Sequence, residues 1–329
     1  MKKTGRRILA LCLTVLLLLP VFSGAAGAVS LEDGAEALRG QWRRDAGPDK
    51  GGYSLDYSYF EPKAAAHEKL PLFVFMPGAG EGTYAGKELI KNNFYKWSSE
   101  ELQSRVTDAS GAYLLILRAP EPVYFDTTPV ESIHAAIMDF AARYNVDKTR
   151  IYLFGWCLGE NGVVKTVLAH PKDYAGIALF SGHRAISASE AETLRDMAIW
   201  VLGSTGDSYA IYSIYISPTW NNVRAAGDKE KRRFTSCSSA PQAALIFNHN
   251  MWILAENDYS AEAKTEYGGL STVDGAGKRL YSPSFISWFT QWSAADESAS
   301  EAASASGSVW QRIVSFFRTV IALFTLLLG

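Results

Sequence analysis

Short apolar runs alternate along this chain with segments of helical periodicity. Each run has five residues and is bounded by glycine, proline or polar residues, which is typical of strands buried on both faces of a sheet. Alternating strands and helices predict right-handed crossovers and a mostly parallel central sheet with helices on both faces, the α/β class. The predicted buried strands are residues 72–76, 113–117, 176–180, 198–202 and 243–247.

Four other segments complete the predicted domain. Polar and apolar residues alternate over 53–59, which predicts a half-buried strand at a sheet edge, whereas residues 29–50 show no clear element. Residues 130–144 carry apolar side chains at helical spacing. Ser189 is the predicted N-cap of a helix that runs to Met197, with Glu190 and Glu192 in its first turn. A closing helix is predicted over 285–292.

Residues 150–162 predict a strand, a sharp turn and the start of a helix. The apolar stretch 151–154 stops at Gly155, Cys157 follows two residues later, and Gly159 comes two residues after that. A helix-compatible run then extends to His170. This spacing places Cys157 at the apex of the turn, where a nucleophile between a strand and a helix is exposed.

Two other predicted strands end in residues that a nucleophile needs. Asp207 follows the strand 198–202, and His249 follows the strand 243–247. Because ligands bind at the carboxyl ends of parallel strands, these side chains are expected near Cys157. His249 would take the thiol proton, and Asp207 would orient the imidazole. Each residue also has a plain structural interpretation: a turn aspartate, a core histidine and a small buried cysteine.

The first buried strand leads into the glycine-rich segment 77–82. Backbone N–H groups of such a loop suit an oxyanion hole, for which Ala79 and Gly80 are the candidates together with Leu158, the residue after the nucleophile. A phosphate loop is the alternative, but Thr83 and Tyr84 do not supply the Lys-Ser/Thr pair of that motif.

Four further residues are candidates for a pocket: Trp156, Glu160, His183 and Trp252. A carboxylate at Glu160 is expected to disfavour a thiolate at Cys157. The histidines show no metal-ligand spacing, so neither a metal nor another cofactor is predicted. An exported chain also allows a disulfide between Cys157 and Cys237, although a tight turn is a poor disulfide site.

Residues 70–292 resemble the secreted esterase branch of the α/β-hydrolases, the feruloyl-esterase and polyhydroxybutyrate-depolymerase-like proteins, which are close to prolyl oligopeptidase catalytic domains. The resemblance implies an acyl-ester hydrolase with its nucleophile, acid and base at 157, 207 and 249. Three positions depart from the pattern: cysteine replaces serine at 157, Pro77 replaces a histidine, and Glu160 replaces a small residue. The resemblance is carried by segments 78–81, 144–147, 150–152, 155–159, 170–171 and 249–252.

Both ends of the chain are predicted to lie outside this domain. Residues 1–28 have a basic start, an apolar run of about 15 residues and a small-residue cleavage site, the pattern of a signal peptide. A membrane-spanning helix is the alternative there. The Ser/Ala/Glu-rich stretch 293–308 predicts a linker. Residues 309–329 predict an amphipathic helix with a basic face, which favours membrane contact over a span or docking on protein.

The predicted organisation is therefore a signal peptide, an N-terminal extension over 29–50, an α/β-hydrolase domain over 51–292, a linker and a C-terminal helix. The sequence predicts an exported protein that is either extracellular or located at the cell surface. The net charge of −2 gives no reason to expect nucleic acid as a partner. Two functions remain open: an acyl hydrolase acting through an acyl-thioester on a small or polymer-linked ester, and an inactive relative that binds a ligand or partner.

Overall fold

Ten strands form one mixed sheet in the part of the chain that the computed structural model describes, which is residues 38, 40–79, 94–119, 124–239, 248–256, 269–281 and 284–294. The strands are β1 (Trp42–Ala46), β2 (Asp56–Phe60), β3 (Leu70–Met76), β4 (Tyr113–Leu117), β5 (Val146–Trp156), β6 (Gly176–Phe180), β7 (Ala198–Ser204), β8 (Arg232–Cys237), β9 (Ser271–Asp274) and β10 (Arg279–Leu280).

The sheet order is β1-β2-β4-β3-β5-β6-β7-β8-β9-β10. Within this order, the six strands β4-β3-β5-β6-β7-β8 each run parallel to their neighbours in that group. The two strands at each edge are added antiparallel. The expected mostly parallel sheet is confirmed, and the carboxyl ends of β3, β5, β6 and β7 meet at one edge of it.

Helices connect the strands and cover the sheet. The α-helices are α1 (Glu100–Gln103), α2 (Val130–Arg143), α3 (Leu158–Ala169), α4 (Ala188–Thr193), α5 (Ser217–Ala225), α6 (Trp252–Glu256) and α7 (Phe285–Thr290). Two 3₁₀ turns lie at Lys63–Ala66 and Phe94–Ser98, and a π-helical turn at Tyr212–Ile216 precedes α5.

The two faces of the sheet bury different kinds of side chain. Because successive strand residues point to opposite faces, β3 sends Val74 into a largely aliphatic layer and Phe75 into an aromatic one. Helices α2 and α3 pack on the aliphatic layer. The aromatic layer holds tryptophans and phenylalanines, among them Trp97, Trp200 and Phe285.

Several elements differ from the sequence expectation. Strand β1 lies inside the stretch 29–50, where no element was expected, because its Arg-Arg-Asp centre is exposed and gives no apolar signal. As a result β2 is covered by β1 and is not an edge strand. The N-cap of α4 is Ser187, not Ser189, because Ser187 and Glu190 form a reciprocal capping box. Strand β8 was missed because its sequence is largely polar.

Contacts divide the chain into two units, residues 1–37 and 38–329, and every described residue belongs to the second. The expected signal peptide, the strand 243–247 and the C-terminal helix lie outside the described residues, as does all but the start of the linker. Among the helices that are described, none combines the length and the apolar character needed to cross a membrane.

We expect Arg232→Lys to lower the free energy of unfolding by about 2–4 kcal/mol. The Arg232 guanidinium is fully buried at the start of β8 and donates to the carbonyls of Val223, Met197 and Leu194, among others. A lysine ammonium carries its three donors on one nitrogen. It therefore does not reach all the carbonyls that surround the planar guanidinium. Urea unfolding followed by circular dichroism measures the change.

Arg195→Lys is the matched control, because that side chain is more than half exposed and should change stability by less than about 0.5 kcal/mol. Equal effects of the two substitutions would contradict the anchoring role of Arg232.

Candidate active site

Cys157 lies in a strained turn between β5 and α3. Its backbone φ of 55° and ψ of −124° are unusual for a residue with a side chain. Its N–H donates to the carbonyl of Phe180 at 3.0 Å. Gly159 is needed for close packing, because a Cβ there would lie 1.8 Å from the carbonyl oxygen of Met76. The turn is thus held by β3 and β6, and it presents the thiol at the N-terminus of a 12-residue helix.

The same backbone strain recurs beside the neighbouring site residues. Among the described residues, Ser181 and Asn248 also have positive φ, at 48° and 59°. Ser181 lies two residues before His183, and Asn248 directly precedes His249. Strained non-glycine residues cluster at functional sites because surrounding packing must hold them there. Three of the four described non-glycine residues with positive φ therefore lie in the site-bearing turns, and the fourth, Asp108, lies in the loop before β4.

Asp207 and His249 form a buried pair. Nδ1 of His249 lies 2.7 Å from Oδ2 of Asp207, and both side chains are almost fully buried. Oδ1 of Asp207 accepts from the backbone N–H groups of Tyr209 and Ala210 at 2.8 and 3.0 Å. The carboxylate is thus fixed by three donors, and it fixes the imidazole in turn. Nε2 of His249 is buried and has no hydrogen-bond partner among the described residues.

The thiol faces two imidazoles, not one. Sγ of Cys157 lies 3.7 Å from Nε2 of His183, which follows β6. Sγ and one ring nitrogen each of His183 and His249 all lie within 4.8 Å of one another. Since Nδ1 of His249 is held by Asp207, Nε2 is the nitrogen on the thiol side. The sequence placed His183 at this sheet edge as a pocket residue, and the structure brings it into contact with the Cys157 thiol.

The surroundings of Cys157 favour its thiolate. Burial alone raises the pKa of the thiol, but interactions with His183 and His249 outweigh burial and bring the pKa to about 6. Burial lowers the pKa of His249, while Asp207 and Cys157 raise it to about 9. The pair is thus an ion pair of thiolate and imidazolium near neutral pH. Cys157 and Cys237 are both free thiols, and burial raises the pKa of Cys237 to about 11.

Glu160 lies buried behind the turn. It is 1% exposed, and Gly182 makes room for it, because a Cβ at Gly182 would lie 1.5 Å from Oε2 of Glu160. Burial, and then the charge on Cys157, raise its pKa well above the ordinary value, against the effect of Arg184. Glu160 therefore keeps its proton to a higher pH than an ordinary glutamate. The expected destabilisation of the thiolate by a Glu160 carboxylate stays a prediction, since a charge on Cys157 opposes a charge on Glu160.

The two tryptophan candidates also pack behind the site. Trp156 and Trp252 are buried in the aromatic layer, so neither has an open face toward solvent. Nε1 of Trp156 donates to the carbonyl of His249 at 2.8 Å, and the two rings lie 5.4 Å apart. Trp252 packs against Trp156 and Phe94. They support the imidazole from the core side.

The oxyanion candidates are only partly described. Leu158 is the first residue of α3, directly after the thiol. Ala79 lies in the exposed turn after β3, and Gly80 lies outside the described residues. Gly78 allows this turn to approach Cys157, because a Cβ there would lie 2.7 Å from Cβ of Cys157. The turn after β3 and the start of α3 thus flank the thiol.

Two tyrosines flank the histidines on the open side. The Tyr209 ring lies 5.5 Å from His249, and the Tyr215 ring lies parallel to His183 at 6.0 Å. Tyr212 and Trp220 belong to the same aromatic segment, but they pack on Phe234 instead. The aromatic-rich segment after the acid strand was the sequence signal for these residues, and the structure decides which of them reach the site.

Comparisons with known proteins identify the fold only. No family profile and no curated protein matches the sequence. A thermostable esterase of known structure is similar with a TM-score of 0.59 and 19% identity, over 78% of this chain and 64% of that chain. A ferulic acid esterase gives 0.48 and 13%, over 59% and 89%. A Pyrococcus horikoshii acylaminoacyl peptidase gives 0.44 and 14%, over 56% and 35%.

We expect alkylation of Cys157 by iodoacetamide to follow a thiolate titration with a midpoint near pH 6. Below that pH the thiol is protonated and the rate falls. His249→Ala and His183→Ala should each move the midpoint upward, toward the value of about 8.5 for a free cysteine. Mass spectrometry of labelled peptides in EDTA buffer gives the rate at each pH.

Cys237→Ala is the control, since it removes the other described thiol and should leave this profile unchanged. A wild-type midpoint above pH 8 would contradict the ion pair.

We expect Glu160→Gln to gain stability relative to the wild type as pH rises from 5 to 7. In the wild type the unfolded carboxyl loses its proton above its ordinary pKa, while the folded one keeps it. Folding then takes up a proton, so wild-type stability falls by up to about 1.4 kcal/mol per pH unit. Urea unfolding of both proteins at several pH values measures the difference.

Glu190→Gln is the control. Burial raises the pKa of Glu190, but hydrogen bonds with Ser187 lower it overall. Its contribution to stability is complete above the ordinary carboxyl pKa and is lost only at lower pH, so the difference between this variant and the wild type should stay constant from pH 5 to 7. Parallel pH profiles for wild type and Glu160→Gln would show that Glu160 is charged in the folded protein.

Proposed function

We propose that this chain, which has the α/β-hydrolase fold, hydrolyses carboxylic esters with Cys157 as the nucleophile. His249 acts as general base and acid, and Asp207 orients its imidazole. The observation that carries the proposal is the arrangement of the thiol in a strained turn, facing an imidazole whose other nitrogen is held by a buried carboxylate at 2.7 Å. A purely structural cysteine needs neither the strain nor the relay.

The first half of the proposed reaction forms an acyl-thioester. The Cys157 thiolate attacks the ester carbonyl carbon, and the carbonyl electrons move to oxygen to give a tetrahedral oxyanion. The N–H of Leu158 and those of Ala79 and Gly80 would hold this oxyanion. Collapse of the intermediate expels the alkoxide, which takes a proton from the His249 imidazolium and leaves as the alcohol.

The second half releases the acid. His249, now neutral, takes a proton from water, and the resulting hydroxide attacks the thioester carbonyl. Collapse of the second tetrahedral intermediate expels the thiolate, and the carboxylic acid leaves. The resting ion pair of thiolate and imidazolium is restored. His183 contacts the same sulfur and supports the thiolate whenever it is free.

An apolar or aromatic acyl group fits the surroundings best. Tyr209, Ile211 and Ile214 are 55%, 43% and 52% exposed, and all lie in the segment that follows the catalytic acid. Exposed apolar side chains grouped beside a site mark a surface that binds an apolar ligand. The Tyr209 ring also contacts His249, so this surface adjoins the reacting atoms.

We further propose that the enzyme is exported. The support is the sequence pattern of residues 1–28, and the amphipathic pattern of 309–329 supports membrane contact after export. An ester that is itself outside the cell, free or attached to a polymer, is then the substrate class.

We expect the wild type to hydrolyse p-nitrophenyl esters, with aromatic and medium-chain acyl groups preferred over acetate. Cys157→Ala and His249→Ala should each lower kcat/KM by at least about 1,000-fold, because nucleophile and base act as a unit. Tyr209→Ala should raise KM more than it lowers kcat, since it removes binding surface and no reacting group. Release of p-nitrophenol measures each rate.

Cys237→Ala is the control for a cysteine outside the site and should retain wild-type rates. A wild type without turnover that gains activity in Cys157→Ser would contradict the cysteine mechanism. Absence of turnover in both proteins would favour the inactive, ligand-binding alternative.

A further inference from the structure

We propose that Cys157, His183 and His249 form a binding site for a thiophilic divalent cation of the zinc type. The three donors are one thiol and two imidazoles, which is the sulfur and nitrogen set that Zn²⁺ prefers. The binding itself rests on ligand geometry alone. Its consequence for catalysis rests on the proposed function.

The spacing of the donors suits tetrahedral coordination. With Zn–S and Zn–N bonds of about 2.3 and 2.0 Å, sulfur and nitrogen ligands lie roughly 3.6 Å apart. Sγ of Cys157 is 3.7 Å from Nε2 of His183, and all three donor atoms fall within 4.8 Å of one another. The His183 and His249 rings are inclined by 73°, so their in-plane lone pairs are not parallel. A contraction of at most about 1.5 Å between any two donors completes the set.

The groups around the donors match those around zinc ligands. A metal-bound histidine commonly donates its other ring N–H to a carboxylate, which fixes the tautomer and strengthens the donor. His249 has this partner in Asp207 at 2.7 Å. Its remaining nitrogen, Nε2, is buried without a hydrogen-bond partner among the described residues. Cys157 and His183 are partly exposed, so a cation can enter and keep a fourth position for water.

A second group of candidate ligands shows why geometry matters. His134, His170 and Asp173 also place donor atoms within 4.8 Å of one another. Their two imidazoles, however, are stacked at 3.6 Å with only 5° between the planes. Lone pairs in parallel planes do not converge on one ion, and Nδ1 of His134 is already 2.8 Å from the Tyr174 hydroxyl. This group serves as an internal control.

Cation binding would switch the proposed hydrolase off. The sulfur lone pair that attacks the ester would be bound to metal, and Nε2 of His249 would be unable to carry a proton. Loss of the cation to a chelator would restore both groups. The site is therefore a reversible inhibitory site for zinc, with no change of fold required.

Cobalt(II) provides a direct probe. The full chain is reduced, stripped with EDTA, desalted and titrated with Co²⁺. We expect one equivalent to produce tetrahedral d–d bands and a sulfur-to-cobalt charge-transfer band, and one equivalent of Zn²⁺ to remove them. Cys157→Ala should abolish the charge-transfer band and weaken zinc binding by more than about 100-fold. His183→Ala should weaken binding at least about tenfold, and Asp207→Asn about 10- to 100-fold.

Matched variants make the outcome decisive. Cys237→Ala and His134→Gln should keep the wild-type spectrum and affinity, and circular dichroism verifies that every variant is folded. Cys157→Ser provides a second variant of the sulfur ligand with a smaller change in shape. Wild-type zinc affinity in folded Cys157→Ala or Cys157→Ser, or loss of binding in His134→Gln, would overturn the site.

Hydrolysis assays separate this proposal from the proposed function. If the cobalt spectrum forms but no ester is hydrolysed, the metal site stands and the hydrolase proposal fails. If esters are hydrolysed while Co²⁺ and Zn²⁺ neither bind nor inhibit, the metal site fails and the hydrolase proposal stands. Zinc inhibition that EDTA reverses, and that Cys237→Ala shares with the wild type, supports both.

Discussion

The turn at Cys157 is the constraint on which the rest of the site depends. A positive φ at a residue with a side chain persists only if its surroundings hold it. Here Phe180 accepts the Cys157 N–H, and Gly159 lets α3 pack against the end of β3. Three neighbouring parallel strands thus determine one backbone conformation. Their shared register delivers the thiol to the sheet edge where the other strand ends also arrive.

A balance of charges follows from that position. The thiolate lies beside two imidazoles and at a helix N-terminus, all of which favour negative charge. Asp207 supplies the opposite charge to His249 from the far side. Glu160 is buried behind the same turn, and burial raises its pKa well above the ordinary value. The burial that would oppose a lone thiolate therefore also opposes a charge on Glu160.

The two layers of the core serve the site differently. Helix α3 packs on the aliphatic layer, which so holds the turn, whereas the aromatic layer packs behind His249. Trp156 belongs to the second layer, yet its indole N–H donates to the His249 carbonyl. A core side chain thereby fixes the backbone at His249. Among the described residues, the segment after Asp207 leaves Tyr209, Ile211 and Ile214 exposed, and the Tyr209 ring contacts His249.

The sequence by itself determined the α/β class, most buried strands, and the positions of Cys157 and Asp207 at the ends of β5 and β7. Apolar runs and glycine spacing report local conformation directly, so local reasoning was sufficient there. The strand expected before His249 lies outside the described residues. Local patterns did not predict the polar strands β1 and β8, because these segments become strands by pairing with their neighbours and not through their own composition. Only the tertiary structure decided that His183 contacts the thiol, that Glu160 is buried with a raised pKa, and that two imidazoles and a thiol form one cluster. These properties depend on distances across separate loops and on burial, neither of which is encoded in the spacing of residues along the chain.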